Sequence, residues 1–421
     1  MLANMIQSFI SAISQLLRRS VMWVTVLALF LAAALTGTLL LAFKTNLGVF
    51  EERIGSMTWR MFPDNRLEER ITLVSIDEKS LSEIGPWPWP RSVMAELVSE
   101  IDSTGAQLQI HDIVYPAGER PGDELFETAL VANNRSILAQ LPVIQSNDSL
   151  RSGNLTHSIS GISCGNPTQG GYFPVAESFI GANSSLVNIP KGHITPIIDS
   201  DGAIRKIPAV VCVDNAPYPA LSIAPFFQAI DSERWEASIS ERGGLLGPYR
   251  TLQLDAYPGL NIPLDDSGNL RISFRGSPSA FRSISAVDVL NGNYDASLFD
   301  NVWVLVGATA FGLDDIVPTP YSGATPGVEL QARMLGSLLD TAVPYTPRGA
   351  PLALGLLSSF FALVLWAVAI SRGRFAFIGL PLVALMAPGL AVVAHGLILT
   401  SLNLWIGWLF PGAFGLIAAC V

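Results

Sequence analysis

Charged residues are scarce in this chain, 14% of 421, against about 25% in an average soluble protein. The shortage is confined to the two ends. Among the first 43 residues the only charges are Arg18 and Arg19, and from Gly349 onward they are Arg372 and Arg374. All 35 acidic residues therefore lie between Lys44 and Arg348. That block keeps all but those four of the 25 basic residues, which is 21, and carries a net charge of −14. Such a block excludes nucleic acid as a partner, because phosphate binding needs clustered Lys and Arg. Histidine is sparse as well. His111, His157, His193 and His395 are scattered, without the paired spacing of a metal site. No Gly-x-Ser-x-Gly elbow occurs. Gly307-Ala-Thr-Ala-Phe-Gly312 has the glycine spacing of a P-loop but no Lys-Ser/Thr behind it, so nothing there reaches a nucleotide phosphate. Neither a metal nor a cofactor is implied.

Long apolar runs stand where charge is missing. Val21–Phe43 is 23 residues without a charge, and crossing a bilayer takes about 20. Leu352–Ile370, Phe375–Ile398 and Leu404–Val421 are three more. The first run is too long for a signal-peptide core and no small-residue cleavage site closes it, so it reads as an uncleaved anchor. Arg18 and Arg19 precede the first run, and Arg372 and Arg374 fill the turn between the second and third. The positive-inside bias puts both pairs in the cytoplasm. The expected order is a cytoplasmic N-terminus over 1–20, transmembrane helices over 21–43, 352–370, 375–398 and 404–421, and an extracytoplasmic domain over 44–348. The inner (plasma) membrane is the expected location. The last run stops at Cys420-Val421 with no basic flank, which suggests truncation ahead of a cytoplasmic part; a natural end there is the other reading. Cys164 and Cys212 share the exterior block, where a disulfide can persist. They pair there, or they are two unrelated small apolar side chains.

Within the block, Leu47, Phe50, Ile54, Met57 and Met61 recur at heptad spacing and predict a juxtamembrane helix over 46–62. Two heptads do not establish a coiled coil, and packing on the domain's own surface is the simpler expectation. A second copy of the chain, as a homodimer, stays open as a partner. Ile71–Ile76 is a β-branched run ending at Asp77, and Ser92–Ser103 has helical spacing. Gln107–His111 reads as a strand ending at Asp112, Asp123–Val131 as a helix and Ser136–Gln140 as a strand. That rhythm predicts a parallel or mixed sheet with flanking helices. Val302–Val306 and Pro326–Leu339 add a strand and a helix. Residues 141–300 read as a β-rich insertion, with hairpins expected around Asp199-Ser-Asp-Gly202 and across Leu264–Phe274. The fold class is thus an α/β extracytoplasmic domain plus four transmembrane helices.

Gly85-Pro-Trp-Pro-Trp-Pro-Arg91 must be extended, because each residue before a proline is pushed out of the helical region. Pro90 suits the start of the next helix. Arg91 then sits at the positive end of that helix, where a cation is disfavoured, and pairing with Asp77 or Asp112 would offset this. Trp87 and Trp89 read as a structural plug. Asp77 and Asp112 end the first two strands and Asp314 and Asp315 follow the later one, and ligands collect at the carboxyl ends of strands in open α/β sheets. With Arg91 they form the candidate ligand site; capping of helix starts is the plainer role for each carboxylate. Asp199-Ser-Asp-Gly-Ala203 resembles the nucleophile loop of haloacid-dehalogenase-type phosphatases but lacks the long apolar strand before it and the Thr or Val after Gly202. His395 in the third apolar run is a functional suspect by default, although its place near the helix end favours an interfacial position.

Ile76-Asp77, Gly85–Arg91, Gly105-Ala106, His111–Val114, Asp201–Arg205, Val306–Ala310, Gly312–Asp314, Thr319-Pro320 and Pro326–Glu329 occur in order. Together they resemble the second type of CHASE domain, an extracytoplasmic sensory domain of bacterial transmembrane receptors, over roughly Ile71–Tyr345. Gln331 departs from the pattern at a position where His is frequent in that family. The resemblance implies one membrane helix before the domain and three after it. It also implies a cytoplasmic output such as a cyclase, a kinase or a cyclic-di-GMP enzyme, and a small-molecule or environmental signal. No catalytic residue is expected in this chain itself. Two other readings are an extracytoplasmic metal-dependent hydrolase using Asp77, Asp112 and Asp314, and a membrane scaffold that senses nothing.

Overall fold

The structure is a computed structural model and describes residues 23–420 apart from 65, 117, 119, 145–149, 166–170, 231–233, 242, 314–315, 321 and 372–373. The chain forms two compact units, Met1–Phe62 with Pro347–Val421, and Pro63–Thr346. The first described elements are α1 (Trp23–Ala42) and α2 (Lys44–Met61). In α1 the Thr36 hydroxyl donates to Ala32 O at 2.7 Å, so that apolar helix carries no unsatisfied hydroxyl there.

In the second unit the elements run β1 (Glu68–Ile76), α3 (Glu78–Ile84), α4 (Arg91–Ser103), β2 (Leu108–Val114), α5 (Asp123–Asn133) and β3 (Ser136–Val143). Then follow β4 (Arg151–Ser152), β5 (Ser178–Ile180), β6 (Lys191–His193), β7 (Ile197–Ile198), β8 (Ile204–Pro208), β9 (Val210–Val213), β10 (Ala216–Pro219) and α6 (Ala224–Gln228). The remainder is β11 (Ala237–Ser240), β12 (Arg250–Leu254), β13 (Tyr257–Leu264), β14 (Asn269–Arg271), β15 (Phe281–Ser285), α7 (Ala286–Leu290), β16 (Trp303–Ala308), β17 (Ile316–Val317), β18 (Thr325–Pro326) and α8 (Gly327–Leu339).

The main sheet has the order β15-β1-β16-β2-β3-β5-β4, with β6 also on β3. Its centre is parallel: β1 pairs with β15 and β16, β16 with β2, and β2 with β3. Period-2 alternation sends Val74, Ile76, Val304 and Val306 to one face, where they are buried with Met94, Leu97 and Ile101 of α4, Phe126 and Leu130 of α5, and Val289 of α7. On the other face, β16 meets α8 so closely that a Cβ on Gly307 would stand 2.6 Å from Val328. Phe226 of α6 lies edge-on to Trp303, 5.3 Å between centroids.

Strand β2 runs to Val114 rather than stopping at His111, so Asp112 lies inside a strand instead of after one. The Asp199–Gly202 turn joins β7 to β8 as an antiparallel hairpin. The second expected hairpin is corrected: Asp265 and Asn269 close a turn, but β14 pairs with β8, far upstream in the chain, and not with β13. Cys164 and Cys212 form a disulfide that ties the 164 loop to β9.

The chain closes with α9 (Ala350–Ala369), α10 (Arg374–Leu402) and α11 (Leu409–Ala418). Trp23–Ala42, Ala350–Ala369 and Ala376–Leu402 are each long and apolar enough to cross a membrane. The run expected as a fourth span is helical only over ten residues, about 15 Å of rise against a hydrocarbon core of about 30 Å. Its first residues are not helical, because Asn403 turns left-handed at φ 55°. Glu51 of α2 then accepts hydrogen bonds from Trp408 N at 2.8 Å and Leu409 N at 3.0 Å, capping α11. His395 bonds to Ile406 O and lies edge-on to Trp405. A Cβ on Gly55 would come within 2.9 Å of the Trp405 ring. Helix α2 therefore packs with α10 and α11 and belongs to the membrane unit, where the sequence suggested packing on the domain.

Candidate functional site at the carboxyl edge of the sheet

The proline-tryptophan segment leads into α4, with Pro90 as its cap and Arg91 as its first residue. Trp89 is buried and donates Nε1–H to Gly85 O at 2.9 Å, and Trp87 packs edge-on against it at 5.5 Å.

Arg91 is only 5% exposed, and its partner is Asp123, Nε to Oδ1 at 3.1 Å, rather than Asp77 or Asp112. The guanidinium lies over the Tyr115 ring at 4.5 Å. Asp123 opens α5 and also accepts from Asn183 Nδ2 and from Arg120 N, both at 2.8 Å. The reason for the different partner lies in the sheet. Gln109 reaches Val98 O of α4 at 2.9 Å, so it faces α4, and the pairing of β2 with β3 slips between His111 and Val114, where Asp112 lies. The α4–α5 contact offers Asp123 instead.

Asp77 caps α3, accepting from Ser80 N at 2.9 Å and from the Ser80 hydroxyl at 2.7 Å. It also accepts from the Ser285 hydroxyl. Burial works to raise this carboxyl, yet the Ser285 and Ser80 hydrogen bonds outweigh it and hold its pKa below the usual value. Capping, the plainer alternative, is what the geometry shows for Asp77. Asp112 is buried on β2. Asp314 and Asp315 lie outside the described residues. Among the described residues, no group of three or more His, Cys, Asp or Glu is arranged to hold a metal ion.

Sequence reasoning missed two features of this region. Asp123 and Asn183 complete the Arg91 cluster; the acid at the start of a predicted helix was the signal for the first, and nothing local marks the second. Lys191, fully buried in β6, donates to Ile189 O at 2.8 Å, to Thr156 Oγ1 at 3.1 Å and to Leu186 O. Burial lowers its pKa to about 7. Buried lysines are rare enough that a lone Lys between Pro190 and Gly192 gave no warning.

The CHASE2 domain family matches residues 24–371, from the first turn of α1 to just past α9. The chain belongs to the CHASE2 domain family. No curated protein and no solved structure matches it. CHASE2 domains are extracytoplasmic sensory domains of receptors, not catalytic ones. In this CHASE2 chain the match takes in the whole sheet domain and one long apolar helix on each side of it, α1 and α9.

Proposed function

We propose that the chain is the sensory input and membrane portion of a multi-pass signalling receptor in the inner (plasma) membrane. The sheet domain detects an extracytoplasmic signal and passes it to a cytoplasmic output, a cyclase, kinase or cyclic-di-GMP enzyme acting as a further domain or a partner. The observation that carries this reading is the CHASE2 match, which includes the sensory domain together with α1 and α9. The carboxyl edge of the sheet is the place where a signal molecule would act. There the backbone of Phe311, 84% exposed, donates to Glu78 at 2.9 Å, and Asp77 and Arg91 anchor the two helices that start at that edge. A ligand alters the output only through different affinity for two states of the domain. The hydrolase reading needs converging carboxylates, whereas Asp77 is engaged as a cap and Arg91 is paired with Asp123.

An adenylate cyclase catalytic domain joined after Val421 tests the proposal. Deleting 63–346 should shift cyclic AMP output severalfold in cells at equal protein level. Equal output from both proteins would refute it.

A further inference from the structure

The sheet domain ends at Thr346 and α9 begins at Ala350. Tyr345 donates its hydroxyl to Leu246 O at 3.0 Å. Backbone extends at most ~3.6 Å per residue, so Tyr345 lies within roughly 18 Å of the first residue of α9. Leu246 belongs to a tight turn closed by Gly247 N to Gly244 O at 3.0 Å. Leu245 and Leu246 therefore occupy the two central positions, where Gly, Pro, Asn, Asp and Ser are usual. They are 65% and 70% exposed, and among the described residues of 63–346 they are the only large apolar pair adjacent in sequence that is exposed. Tyr249, 41% exposed, follows them. Beside Tyr345 is a shallow polar pocket lined by Lys206, Asp265, Asn269 and Arg271, with Lys206 and Asp265 paired at 3.0 Å.

We propose that the Gly244–Gly247 turn inserts Leu245 and Leu246 into the interfacial layer of the bilayer that α9 crosses, making the lipid surface a partner of the domain. This rests on reading α9 as a membrane span. Chain length holds the turn close to where α9 enters the membrane, and tyrosine beside an apolar pair suits the headgroup boundary. A two-residue tip is far smaller than the roughly 800 Å² per partner of a stable protein interface, yet it is enough for shallow lipid insertion. The turn joins β11 to β12, so lipid packing would act directly on that sheet.

Single cysteines at Leu246, Val131 and Leu356, each in a Cys420→Ser background and carrying the environment-sensitive dye NBD, test this in phosphatidylcholine vesicles. Leu356 in α9 and Val131 on α5 are both exposed. With a nitroxide on a shallow acyl carbon of the lipid, emission should fall by half or more at 246 and 356 and stay unchanged at 131. Quenching at 356 alone, or equal quenching at 131 and 246, would overturn the insertion. An unquenched label at 356 would overturn the span and the insertion with it.

Discussion

At Arg91 a buried guanidinium is held by one carboxylate and two aromatic rings, Tyr115 at 4.5 Å and Phe126 at 5.9 Å. Breaking a buried pair on one side costs about 3–5 kcal/mol. Arg91→Ala is expected near the low end, because Asp123 keeps its bonds from Asn183 and Arg120 N. Urea denaturation of the detergent-solubilised chain checks this, and Asp123→Asn should be partly non-additive with it. Unchanged midpoints would mean that the pair is not formed. The buried His111 and His193 and the half-buried His157 set a second expectation. Burial lowers His111 to about 4, His193 to about 3 and His157 to about 4. Each is depressed below its unfolded value near 6.5, so the unfolded chain binds the extra proton first. Their contribution is complete above about pH 6.5 and is lost as pH falls toward 3–4. Lys191, lowered to about 7, has the same sign, and its contribution falls as pH drops from about 10.5 to 7. Urea midpoints should therefore decline from pH 6.5 to 4, and His111→Gln should flatten part of that slope. A midpoint that rises on acidification contradicts the burial of these rings.

Elements were legible where the local pattern decides them. The β-branched run at Ile71–Ile76 lies within β1, and the spacing of Val93, Leu97 and Ile101 lies within α4. Pairing across distance was not legible, because the turn at Asp266-Ser-Gly268 is equally compatible with a hairpin and with β14 on β8. The same limit hid the Arg91 site. Strand ends can be read from a sequence, but the α4–α5 contact that brings Asp123 to Arg91 cannot. Apolar length likewise did not reveal that Asn403 and Glu51 delay α11 until Leu409. Two element contacts are open to test. Gly307→Ala puts a methyl 2.6 Å from Val328, so α8 must move off β16. Overpacking of this kind costs about 1–3 kcal/mol, read as a lower urea midpoint, and Val328→Ala should restore part of it. The Cys164–Cys212 bridge closes a separation of 48 residues, worth roughly 4 kcal/mol in the chain-entropy model. Cys164→Ser with Cys212→Ser should lose most of that, and non-reducing mass spectrometry of the wild type should find the linked peptides. Two free thiols would remove the bridge from the fold.

For the whole molecule, the sign of charge along the chain is the strongest handle on orientation. The block from Lys44 to Arg348 carries all 35 acidic residues, and the short apolar ends carry only arginines. Arg18, Arg19 and Arg372 lie outside the described residues, so the expectation rests on the positive-inside bias of short loops and on the helices between them. With α1 crossing outward and α9 crossing inward, alkaline phosphatase inserted after Ser200 should be active and one fused after Ser371 inactive. The C-terminus is the sharper case. Ten residues of α11 reach about 15 Å, half of a bilayer core, and the uncharged run from Leu404 to Val421 has to complete a crossing if the last residue is to be cytoplasmic. A fusion after Val421 is expected to be inactive, which would place a further output domain on the same side as the N-terminus. Activity there, with the Ser200 fusion also active, would mean that α11 turns back without crossing. The output would then have to be reached through α1 or the α9–α10 turn instead. An inactive Ser200 fusion would reverse the orientation and take the sensory reading with it.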